Sequence, residues 1–78
     1  MYDVLFRALS DAQAGVRAKA VRSLGKLVRF GYLKASQEQH VRLAVYRTLG
    51  YDDTCDWDEA FIVRREAEET LRHLGPQA

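Results

Sequence analysis

Residues 9–27, LSDAQAGVRAKAVRSLGKL, decide the fold. Val16, Ala20, Leu24 and Leu27, joined by Val28 just beyond, fall on one side of a 3.6-residue wheel. Ser10-Asp11 offers a turn and a helix start, and Gly31 a stop. The spacing predicts a helix over residues 12–30. Gly25 lies inside it at a cost of about 1 kcal/mol against alanine, so a kink or a close helix contact is expected there.

The same stretch recurs. Residues 5–10 align with 45–50 at an offset of 40, and residues 11–27 align with 58–74 at an offset of 47, with Tyr51 to Trp57 inserted between the two blocks. Eight of the 23 matched positions are identical: Arg7/Arg47, Leu9/Leu49, Asp11/Asp58, Val16/Val63, Arg17/Arg64, Ala20/Ala67, Leu24/Leu71 and Leu27/Leu74. They are the apolar and turn positions, where a duplicated helical hairpin must agree with itself. Repeat one covers about residues 2–31 and repeat two about 36–75 of a single 78-residue domain.

The remaining helices follow from the same periodicity. Val4, Leu5, Ala8 and Leu9 predict a short helix over about residues 2–9. Ser36 as cap, with Gln39 in the capping-box position, predicts a third helix over about 37–49 carrying Val41, Ala44, Val45 and Leu49 and closed by Gly50. Asp58 is expected to cap a fourth, carrying Ile62, Val63, Ala67, Leu71 and Leu74 and ended by Gly75-Pro76. No stretch alternates with period two for long enough to predict a strand, so the class is all-α, with about four helices.

The repeated pattern L-x-D-x4-VR-x2-A-x3-L-x2-L, seen at Leu9 to Leu27, resembles the HEAT repeat, including the HEAT-like repeats of phycobilisome lyases. The resemblance implies an α-solenoid fragment of two helical hairpins. It also implies that a turn Asp and an Arg six residues on order the stack; Asp11/Arg17 and Asp58/Arg64 match both positions. On physical grounds such an Asp can accept the free N–H groups that open the following helix, while the Arg can bond to that Asp or to its copy next door.

Composition restricts the function classes. Seventy-eight residues, 47% hydrophobic and 29% charged, suffice for one small core. Twelve Lys plus Arg against eleven Asp plus Glu leave a net charge of +1, so no global field draws the chain to nucleic acid or an anionic membrane. A lone Cys55 fits a reducing compartment, and no uncharged apolar run is longer than the four residues from Ala60 to Val63, so a cytoplasmic protein without a membrane span is expected. His40 and His73 have no Ser or Cys near them in sequence, and there is no phosphate loop or zinc motif; neither catalysis nor a cofactor is expected. The alternation Asp52, Thr54, Asp56, Asp58 lacks the glycine and the terminal Glu of a calcium loop.

The expected function is that of a protein-interaction module or small scaffold. In HEAT-like families the second helix of each pair commonly lines the binding groove, which by resemblance assigns Lys19, Arg22, Lys26, Glu66 and Glu69 to that face. Lys19, Arg22, Lys26 and Arg29 form a basic ridge opposite the apolar stripe, and in-register stacking would set Lys19 toward Glu66 and Arg22 toward Glu69. Trp57, in the inserted loop, is either a partner anchor or, as favoured here, a hydrophobic staple ahead of Asp58. Because two repeats are fewer than the ~3 that usually bury a continuous core, apolar ends covered by a second copy or a partner are expected. A nucleic-acid binder using the basic ridge, or an accessory subunit related to bilin lyases, are the alternatives.

Overall fold

A computed structural model describes residues 2–51 and 57–74. It contains four helices: α1 (Tyr2–Ala8), α2 (Ala14–Arg29), α3 (Ala35–Thr48) and α4 (Phe61–Leu74). Among the described residues there is no strand, only one isolated antiparallel bridge between Leu49 and Trp57. The class is all-α.

α2 packs most extensively along α4, while α1 lies against α2 and α3 against α4. Val21 and Leu24 of α2, Val41 and Val45 of α3, Leu49 after it, and Val63 and Ala67 of α4 form the buried core. Val21 was absent from the stripe expected for α2. It lies on the flank of that stripe and is buried because α4 covers this second side of the helix. Ile62, expected in the apolar stripe of α4, is instead 51% exposed.

Backbone bonding repeats with the offsets of the sequence. In the first copy Leu9 N–H donates to Phe6 O and Ser10 N–H to Arg7 O; in the second Leu49 N–H donates to Tyr46 O and Gly50 N–H to Arg47 O. Asp11 N–H donates to Ala8 O at 3.1 Å, and Asp58 N–H to Thr48 O at 2.9 Å. Asp58, seven residues further from Gly50 than Asp11 is from Ser10, therefore takes the register that the first copy reaches directly. α2 and α4 start 47 residues apart, and α1 and α3 end 40 apart.

The helix starts differ from expectation. α2 begins at Ala14 behind an extended Gln13, because Asp11 Oδ1 accepts the Gln13 N–H at 2.8 Å and holds a turn outside the helix. Asp58 Oδ1 does the same for the Ala60 N–H at 2.9 Å. Neither Asp is the capping residue itself. α3 begins at Ala35, so Ser36 lies in its first turn; Gln37 Oε1, in place of Gln39, accepts the Lys34 N–H at 2.9 Å. Gly31 and Gly50 end α2 and α3 with φ of 75° and 77°, the left-handed conformation that lets Tyr32 N–H reach Leu27 O and Tyr51 N–H reach Tyr46 O.

Gly25 does not interrupt α2. It is buried against α4, where a Cβ would stand 2.5 Å from Thr70 Cγ2. The glycine is what lets the two helices approach here.

Candidate protein-interaction face

The two turns are joined by side chains. Arg17 donates from Nε to Asp58 Oδ2 at 2.8 Å and from Nη2 to Asp58 Oδ1 at 3.1 Å, a two-point contact between copies. Arg17 Nη1 also bonds Asp11 O at 2.8 Å, and Arg64 Nη1 bonds Asp58 O at 2.8 Å, the same contact 47 residues later. The Arg17 guanidinium holds the Asp58 carboxyl below the usual carboxylate range, against the opposing effect of burial and with help from the Ala60 N–H. Asp58 in turn raises Arg17 further. This cluster uses its donors and acceptors internally and offers little to a ligand.

Beside it, α2 and α4 enclose an open groove of about 650 Å³. Ala18, Gly25 and Thr70 belong to its lining, together with Arg22, Lys26 and Arg29 on one side and Arg65, Glu66, Glu69 and His73 on the other. Five of the seven sequence-selected face residues, Arg22, Lys26, Arg29, Glu66 and Glu69, are thus gathered on one surface. Arg65 and Ile62, which also line it, were missed: Arg65 matches Ala18 of the first copy, so no ridge pointed to it, and Ile62 was assigned to the core.

The ion pairs differ from those expected. Arg22 Nε lies 4.0 Å from Glu66 Oε1, and Glu69 contacts Arg72 at 3.9 Å and His73 at 3.4 Å on its own helix. Lys19 forms no ion pair among the described residues and does not line the groove. The reason is geometric. The contacts 17–58, 22–66 and 25–70 advance together along α2 and α4, so the helices run side by side in one direction. Counterparts in two such helices point the same way and cannot face each other. A side chain on the near flank of α2 meets one on the opposite flank of α4, two or three positions short of its counterpart.

Trp57 is on a different surface. It is 60% exposed, correcting the staple expectation, because the Leu49–Trp57 bridge holds its backbone against the end of α3 and leaves the indole outside the core. With Tyr2, Phe6, His40, Leu43 and Arg47 it lines a second open groove between α1 and α3. His40 stands edge-on to Phe6 at 6.5 Å between ring centroids. Asp52, Asp53, Thr54, Cys55 and Asp56 lie outside the described residues. Among the described residues no three His, Cys, Asp or Glu side chains converge as a metal site, and no helix is long and apolar enough to cross a membrane.

No family model matches the chain, and neither curated proteins nor solved structures yield a match.

Proposed function

We propose that the chain is a two-repeat HEAT-like α-solenoid segment acting as a non-catalytic protein-interaction module through the α2–α4 groove. The observation that carries this reading is the Arg17–Asp58 contact: the turn Arg of one copy grips the turn Asp of the next while keeping its own turn carbonyl. A stack ordered this way sets its second helices side by side and turns their remaining flanks outward as a continuous wall. The groove mixes cations and carboxylates over a floor that includes small residues, a surface suited to a polypeptide carrying both polar and apolar side chains. Glu66 and Glu69 inside it work against a phosphate backbone, which supports a protein partner over nucleic acid. No chemistry of its own is assigned to the module, and a cytoplasmic setting fits its lone thiol.

Site-specific photo-crosslinking tests the reading. With a benzophenone amino acid at position 26, extract of the source cells is expected to give a discrete protein adduct, whereas position 47 on the other groove gives none. An adduct lost to nuclease treatment, or no adduct at position 26, removes the proposal.

A further inference from the structure

We infer that the occupant of the α2–α4 groove is an acidic peptide segment lying along the helices, selected by Lys26, Arg29 and Arg65. The inference rests on the protein-binding reading above and deepens it.

The argument starts from charge. The groove presents Arg22, Lys26, Arg29 and Arg65 against Glu66 and Glu69, an excess of two positive charges, in a chain whose whole net charge is +1. Internal pairing sharpens the excess. Glu66 stands near Arg22, and Glu69 is engaged by Arg72 and His73 of its own helix. Lys26, Arg29 and Arg65 form no ion pair among the described residues, and Arg29 only leans on the Phe30 ring at 5.7 Å. These three cations come from both walls, so an anionic chain between them is met from two sides.

Shape restricts the occupant further. From Ile62 to His73 the α4 wall rises through eleven residues, about 16 Å at ~1.5 Å each, which matches roughly five residues of extended peptide at ~3.3 Å. Gly25 packs directly against Thr70, and Gly25 brings no side chain into the groove. Ile62, half exposed at one end, gives an apolar side chain of the peptide a place to rest. The two glutamates repel a uniform phosphate chain along the same track, whereas a peptide can set its carboxylates opposite the free cations and keep them off Glu66 and Glu69.

Fluorescence anisotropy with the full chain tests this. The probe is a labelled alternating Glu–Ala peptide of about ten residues, long enough to overhang the groove, beside a Lys–Ala peptide and a single-stranded oligonucleotide of similar length. The Glu–Ala peptide is expected to bind best and to weaken several-fold between about 50 and 200 mM salt. Lys26→Glu with Arg65→Glu should lower its affinity about tenfold or more, and Lys26→Gln with Arg65→Gln by less. Arg7→Glu with Arg47→Glu, on the other groove, should leave it unchanged. All four replaced side chains in these sets are exposed, and far-UV circular dichroism checks that each variant keeps its helices. A preference for the oligonucleotide, equal binding by the reversal variant, or no binding of the Glu–Ala peptide at low salt overturns the inference. A protein adduct at position 26 alongside such a failure would leave the interaction reading standing and remove only the acidic occupant.

Discussion

α2 and α4 begin from the same turn and end in opposite surfaces. On α2 the flank toward α4 carries Ala18, Val21 and Gly25, with Val21 buried and Gly25 in contact with Thr70. The counterparts 47 residues later are Arg65, Glu68 and Arg72, all exposed. A helix that must receive a neighbour needs small and apolar residues on that flank; one that must not receive another gains by making it charged. The duplication has kept the turn chemistry and made most of this flank charged on α4, where only Phe61 at its start is a large apolar residue. Of the large exposed apolar residues, Phe61 begins this same flank one turn ahead of Arg65, Ile62 lines the α2–α4 groove, and Val4 and Leu43 belong to α1 and α3.

The contrast can be broken first at the turns. Asp58→Ala removes the Arg17 contact and the Ala60 bond together and is expected to cost about 2–3 kcal/mol in urea unfolding. Asp11→Ala, which loses only the Gln13 bond, should cost about 1 kcal/mol or less. The pH dependence has a definite sign. Asp58 titrates lower in the folded chain than in the unfolded one, so its contribution is complete above the unfolded value near ~3.9 and is lost as pH falls through the folded value. Wild type should lose more stability on acidification than Asp58→Ala; parallel curves would show that the contact contributes nothing.

A smaller effect is expected at the helix crossing. Gly25→Ala gains about 1 kcal/mol of helix propensity but drives its methyl into Thr70 Cγ2, an overpacking cost of about 1–3 kcal/mol. Net destabilisation should vanish in Gly25→Ala with Thr70→Ser, which deletes that methyl, so a double-mutant cycle measures the close approach. Arg72→Ala, at the matching position of α4, should lie within about 0.5 kcal/mol of wild type. The sharpest test of the flank comes from Arg65→Ala, Glu68→Val and Arg72→Ala together. Sedimentation velocity should show self-association stronger than that of wild type. Unchanged sedimentation would mean that these charges do not close the stack.

Much of the arrangement was legible because repetition marks it. Asp11/Asp58, Arg17/Arg64 and the apolar positions keep identity where local geometry demands it, and the seven-residue insertion was placed by alignment alone. Legibility failed wherever a residue depends on what lies across from it. Val21 was missed since only contact with α4 makes it core. Ser36 is the residue that cap preference points to for α3, because that preference describes side chains, whereas the observed start is fixed by an extended Lys34 backbone and Gln37. Arg65 escaped notice because its groove exists only once α2 and α4 are side by side.

Sequence by itself determined the helices, the duplicated turn and the offsets of 40 and 47, since these follow from periodicity and from hydrogen bonds made within a few residues. Tertiary structure alone decided the stagger that pairs Arg22 with Glu66, the exposure of Trp57 and the cations left over in the groove. The physical reason is that equivalent side chains in two parallel helices point the same way, so what each one meets depends on the opposite flank of its neighbour, which no self-comparison of the chain contains.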